Sequence, residues 1–192
     1  PMSNEKKILT NKDIDIVSVL TPSGKHFSQS KKILNCNKHV IIEKPIALKI
    51  SDIKKIIKIE KKVKKKVFVV FQHRINPAVL KLKQLLNKKK LGKIFLISTR
   101  LYWCRNDKYY KNEWRGTWKN DGGVVTNQGI HTIDIITSIF GKFKKIKALS
   151  NRISKFIQTE DLCVVQGELK NKIICNMEFT TAARPKNIEN SI

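Results

Sequence analysis

The first third of the chain alternates short apolar runs with longer amphipathic ones. Residues 14 to 20, Ile-Asp-Ile-Val-Ser-Val-Leu, are rich in β-branched residues and stop at Thr21-Pro22-Ser23-Gly24, which predicts a strand followed by a turn. Helical periodicity then runs from Lys25 to Cys36, a buried strand from His39 to Glu43, a helix from Ser51 to Val63 with Ser51 as its N-cap, and a third strand from Val67 to Phe71. Strand, helix, strand, helix, strand with short connections is the pattern of a parallel sheet with right-handed crossovers. It predicts half of a doubly wound domain.

Beyond Gln72-His73-Arg74 the pattern changes. Pro77 suits the first turn of a helix whose apolar positions are Val79, Leu82, Leu85 and Leu86, and Gly92 closes the lysine-rich segment behind it. Lys93 to Trp103 reads as a strand. Residues 105 to 121 form a polar loop bearing Tyr109, Tyr110, Trp114 and Trp118 with Arg105 and Arg115, too long for a plain connection and so a candidate binding loop. Periodic apolar residues from Ile130 to Ile139 predict a helix that stops at Gly141. Three β-like runs follow, Lys144 to Arg152, Asp161 to Leu169 and Lys172 to Thr181, the last two joined by the hairpin-like turn Lys170-Asn171. The expected class is α/β: a partial parallel sheet, then an α+β domain with a mainly antiparallel open sheet.

With 192 residues, 41% of them hydrophobic, the chain is long enough to bury a core. A formal net charge of +25 raises nucleic acid or a membrane surface as partners. The kind of cation argues against both, because 34 are Lys and only six are Arg. Arginine is the favoured residue for bidentate phosphate and base contacts, so a lysine excess at solvated positions predicts no specific nucleic-acid partner. The runs Lys61 to Lys66 and Lys88 to Lys90 still allow weak affinity for polyanions at low salt. A non-catalytic basic module therefore stays open as an alternative. Cys36, Cys104, Cys163 and Cys175 form no CxxC pair and no metal-ligand spacing with the four histidines, which predicts reduced intracellular thiols and no metal site. No apolar run reaches transmembrane length and no signal peptide opens the chain, so a cytoplasmic protein is expected.

Two stretches carry candidate chemistry. In Gly122 to Asp134 a pair of glycines precedes the predicted helix, and at α-helical spacing Asn127, His131 and Asp134 share one face. In Glu43-Lys44-Pro45 a lysine sits at the carboxyl end of a buried strand, where ligands of open α/β sheets bind. Alone, each has an ordinary reading as a core histidine or a solvated lysine. None of the eight glycines forms a GxGxxG phosphate turn after a strand. Either no dinucleotide binds, or the first part of a nucleotide domain lies upstream; a sheet that begins in mid-domain favours truncation.

Thr21-Pro22-Ser23-Gly24 with His26, Lys38-His39-Val40 leading to Glu43-Lys44-Pro45, and Gly122-Gly123 with Asn127 and His131-x-x-Asp134 together resemble the glucose-fructose oxidoreductase / inositol dehydrogenase / MocA family of NAD(P)-dependent sugar dehydrogenases. Gln72-His73-Arg74-Ile75-Asn76-Pro77, Tyr109-Tyr110, Trp114-Arg115-Gly116-Thr117-Trp118 and Pro185-Lys186-Asn187 look like its subgroup of UDP-N-acetylglucosaminuronate 3-dehydrogenases, which serve bacterial surface-polysaccharide synthesis. Many relatives carry Asp where this chain has Asn127; Asn fits the UDP-sugar subgroup and counts against a free-polyol dehydrogenase.

The resemblance implies the second half of an NAD(P)-binding Rossmann domain in residues 1–73. It implies an incomplete substrate-binding and oligomerisation domain in residues 74–192, forming a dimer or tetramer through its open sheet. It implies Lys44 and His131 as catalytic residues, His131 as general base and Lys44 as hydrogen-bond donor to the same oxygen. Arg74, Asn76, Arg115, Trp118, Asn127 and Asp134 would meet the UDP-sugar, Asp134 having orientation of His131 or a plain surface position as its other readings. Thr21, Pro22, His26, Glu43, Lys44 and Pro45 would line NAD, with a cis bond at Lys44-Pro45. NADP stays open because the acidic residue that reads the ribose would lie upstream, and the chain by itself is expected to be inactive. The competing substrates are a free sugar, inositol or another nucleotide sugar.

Overall fold

The computed structural model describes residues 4–111 and 113–192. They divide into two compact units, the first running up to Val70 and adding Lys119–Asp121, the second comprising Phe71–Trp118 and Gly122–Ile192.

The first unit opens with a short helix, α1 (Glu5–Thr10), that the apolar pattern did not announce. Then come β1 (Ile16–Val19), α2 (His26–Asn35), β2 (His39–Glu43), α3 (Ile50–Val63) and β3 (Val67–Val70). The three strands form one parallel sheet in the order β1-β2-β3, with Val19 opposite Ile42 and Glu43 opposite Val70. Val19, Ile33, Leu34, Val40, Ile42 and Ile56 fill the core between sheet and helices. Lys38 is buried too, its ammonium donating to the Asn11 and Ile14 carbonyls at 2.6 Å each. The expected N-cap of α3 is corrected: Lys49 takes that position with no side-chain bond, and Ser51 lies inside the helix.

In the second unit, α4 (Pro77–Asn87) has Pro77 in its first turn, as predicted. β4 (Leu96–Tyr102) is followed by a single helical turn, α5 (Asp107–Tyr110), inside the aromatic loop. A π-helical turn, Val125–Gly129, runs directly into α6 (Ile130–Phe140). β5 (Phe143–Asn151), β6 (Leu162–Leu169), β7 (Ile174–Thr180) and a short β8 (Glu189–Ser191) complete the second sheet. Its order is β5-β6-β7-β4-β8; every pairing is antiparallel except β4 with β7.

Alternation along these strands decides what faces the core. Cys163, Val165, Cys175, Met177, Phe179, Ile97 and Leu101 point to the covered face and join Ile136 of α6. Gly129 lets the helix come close, since a Cβ there would lie 3.1 Å from the Phe179 ring. The opposite face leaves Leu96, Leu149, Val164 and Ile174 exposed. No helix among the described residues is long and apolar enough to cross a membrane.

Candidate active site

In the first unit the candidate residues gather where the parallel strands end. Lys44 follows β2 directly; its backbone N–H donates to the Glu43 carboxylate at 3.2 Å, and the Lys44-Pro45 bond is cis. Burial pushes the Lys44 amine below the ordinary lysine value, while the negative charges of Glu43 and Asp121 pull the other way. Thr21 donates its hydroxyl to Gln29 Oε1 at 2.6 Å, which fixes the turn after β1. Gly24 is required at that turn, because a Cβ would strike the Lys119 carbonyl, and its own N–H donates to the Asn120 oxygen at 3.0 Å.

His26 lies between the turns after β1 and β2. Its ring is 1% exposed and both nitrogens are taken by the Thr21 and Pro45 carbonyls. The ring thus braces the two turns that carry the other residues expected to line NAD.

In the second unit His131 is buried in the first turn of α6. The His73 ring stacks on it, centroids 4.2 Å apart and planes 19° from parallel, and Phe71 meets it edge-on at 6.3 Å. One residue along, Arg74 donates Nε to Asp134 Oδ2 at 2.7 Å and Nη2 to Asp134 Oδ1 at 2.5 Å. Thus residues 73 and 74 of a 3-10 turn, Gln72–Ile75, pair with residues 131 and 134 of α6. Asp134, expected to meet the substrate or to orient His131, is paired with Arg74 through both carboxylate oxygens. Arg74 spends two of its donors there, and the carboxylate raises its guanidinium above the usual range.

Asn76 has a local structural partner. It is the N-cap of α4, its Oδ1 accepting the Ala78 N–H at 2.9 Å, so the acceptor half of the carboxamide serves the helix. Asn127 lies in the π-helical turn, where the repeat is longer than 3.6 residues, so its alignment with His131 is not set by the α-helical period. A Cβ at Gly123 would have to push the Glu160 carboxylate aside, and Glu160 accepts the Val124 N–H through its backbone at 3.0 Å. Nothing in the sequence pattern pointed to Glu160. His73 was legible only as a neighbour of Arg74.

The aromatic loop folds on itself. Two guanidinium groups lie over the Tyr109 ring, Arg115 at 4.3 Å and Arg105 at 5.1 Å from its centroid, and these reach Trp114 and Trp103 in turn. Arg115 is therefore stacked and partly buried, while Trp118 stands 61% exposed. A cavity of about 370 Å³ in this unit is lined by His73, Asn76, Trp103, Gln128, His131 and Thr132 among others. Among the described residues no cluster of three or more His, Cys, Asp or Glu could hold a metal ion.

The two units match two parts of one family. Residues 1–71 match its oxidoreductase NAD-binding Rossmann fold and residues 79–192 match the GFO/IDH/MocA C-terminal domain. The WlbA dehydrogenase from Chromobacterium violaceum, solved in complex with NADH and UDP-GlcNAcA, superposes with a TM-score of 0.92 at 34% identity, covering 98% of this chain and 55% of that one. WlbA from Bordetella pertussis, in complex with the same two ligands, gives 0.93 at 29% identity, covering 99% and 55%. Glucose-6-phosphate 3-dehydrogenase of Bacillus subtilis is 24% identical, over 91% of this chain and 53% of its own length. The chain spans about half the length of the curated relatives it matches.

Proposed function

The chain belongs to the GFO/IDH/MocA oxidoreductase family, and from that membership we propose that it carries the catalytic residues of an NAD-dependent dehydrogenase acting on the C3 hydroxyl of a UDP-linked N-acetylated hexuronate. The observation that carries the substrate class is the likeness to the two complexes with UDP-GlcNAcA, one of them at 34% identity. The corresponding biological setting is the synthesis of sugars for a bacterial surface polysaccharide. Its assembly is a homo-oligomer formed through the open face of the second sheet, which leaves four large aliphatic side chains uncovered.

Oxidising a secondary alcohol removes a proton from oxygen and a hydride from carbon. Bound NAD supplies the hydride acceptor, which no side chain offers. At the carboxyl ends of β1 and β2, Thr21, Pro22, His26, Glu43, Lys44 and Pro45 are the residues that would hold it. No glycine-rich phosphate turn is among these residues.

His131 takes the hydroxyl proton. The aromatic rings of His73 and Phe71 hold its imidazole in one orientation, which keeps the base aimed at a single oxygen. Lys44 donates a hydrogen bond to the oxygen as negative charge grows there. A fixed donor of this kind is worth about 3 kcal/mol in the transition state. Asn76, Asn127 and Trp118 are the residues offered to the sugar and its nucleotide, with Arg115 and the Arg74–Asp134 pair as the charged groups for phosphate or carboxylate.

The test uses the polypeptide extended to the length of its relatives, incubated with NAD and UDP-N-acetylglucosaminuronate. Loss of two hydrogens from the sugar, seen by mass, establishes the reaction. Turnover of glucose 6-phosphate or inositol instead, with the UDP-sugar untouched, would retain the family and discard the substrate.

A further inference from the structure

Both ring nitrogens of His26 face carbonyl oxygens. Nδ1 lies 2.7 Å from the oxygen of Pro45, and Nε2 lies 2.8 Å from that of Thr21. A carbonyl oxygen only accepts, so each contact is a hydrogen bond only when its nitrogen carries hydrogen. A neutral imidazole has one N–H and one lone pair. In either tautomer, therefore, one of these contacts would set a lone pair against a lone pair at hydrogen-bond distance. At 1% exposure a bare contact of that sort costs the full penalty of an unsatisfied buried group.

We propose that His26 is held as an imidazolium whose two N–H groups tie the turn after β1 to the turn after β2, making it the positioning residue for Lys44. The carbonyls it joins belong to Thr21, two residues beyond β1, and to Pro45, bonded to Lys44. The charged groups on the surrounding segments are Lys25 beside it, Glu43 and Lys44 at the end of β2, and Lys119 and Asp121 on the segment against Gly24. From α3, Lys55 is paired with Asp52 and lies over the ring of Phe27, the next residue. Glu43 and Asp121 are thus the anions of this neighbourhood. The charge-assisted donors satisfy two carbonyls at the mouth of the sheet that no strand partner reaches.

Magnetic resonance of the chain labelled with ¹⁵N-histidine counts the hydrogens directly. Replacing His39, His73 and His131 by Gln, one at a time, assigns the remaining signal to His26 without altering it. At neutral pH both His26 nitrogens are expected to resonate as N–H. One N–H beside one bare nitrogen would overturn the proposal. His26→Gln, whose carboxamide cannot donate from two ring positions, should at constant pH lower the protection of the Lys44 and Ala47 amides against exchange and leave that of β6 and β7 unchanged; unaltered protection at Lys44 would overturn the positioning role. That role in catalysis rests on the proposed function, whereas the hydrogen count does not, so the two fail separately.

Discussion

Arg74 and Asp134 meet at two points, guanidinium edge to carboxylate edge, with the Asp134 side chain 9% exposed and the Arg74 side chain 49% exposed. The asymmetry fixes what each deletion does. Arg74→Ala leaves a buried carboxylate without its donors and is expected to cost about 2 kcal/mol, the middle of the range for hydrogen bonds to charged groups. Asp134→Asn leaves a half-solvated arginine and should cost about half that. Urea unfolding of both variants and the double variant gives the coupling. Strict additivity would show that the pair contributes nothing.

Lys44→Met and His131→Gln, in the polypeptide extended to its relatives' length, should each lower turnover by roughly 10²- to 10⁴-fold with circular dichroism unchanged. Steady-state kinetics with the UDP-sugar checks this. Wild-type turnover in either variant removes that residue from the mechanism.

The Lys44 amine should titrate below the ordinary lysine value of 10.5, because burial disfavours its charged form more than Glu43 and Asp121 favour it. The unfolded chain then binds more protons than the folded one between the lowered value and 10.5, so stability rises with pH across that window. Carbon-13 methylation of the lysines, followed by titration in magnetic resonance, reads the shift; Lys44→Met should remove both the signal and its share of the slope.

Gly24→Ala places a methyl group into the Lys119 backbone, which cannot swing aside as a side-chain tip would. Overpacking of this kind costs about 1–3 kcal/mol, and thermal unfolding should register it. Gly92→Ala meets open space and bears only the cost of its positive φ of +64°, about 1–2 kcal/mol. If Gly24→Ala unfolds like the wild type, the Lys119–Asp121 segment is not packed against that turn.

Much of this was legible because alternation and periodicity are local. Val40 and Ile42 are buried as their spacing implied, and the strands of the first sheet fall within two residues of their predicted bounds. Pairing across distance was not legible: β4 lies parallel beside β7, more than 70 residues later, and no run of residues records that register. β8, three residues long, is too short to show a period. Asn76 is instructive in the other direction. Asn before Pro at a helix start is a capping signature, and the local rule reads the acceptor half of the carboxamide directly. His26 and Asp134 needed tertiary neighbours, since a histidine or carboxylate shows its partner only once Pro45 or Arg74 is brought alongside.

The π-helical turn at Val125–Gly129 makes the candidate site sensitive to length as well as to residue type. A residue advances an α-helix by about 100°, so deleting one within this turn would restore the regular repeat and swing Gly122-Gly123 about the axis relative to His131 and Asp134 by a comparable angle. Substitutions at its partly exposed positions leave that phase alone. Insertions and deletions do not, and this short segment acts as the spacer that times the glycine turn against the histidine.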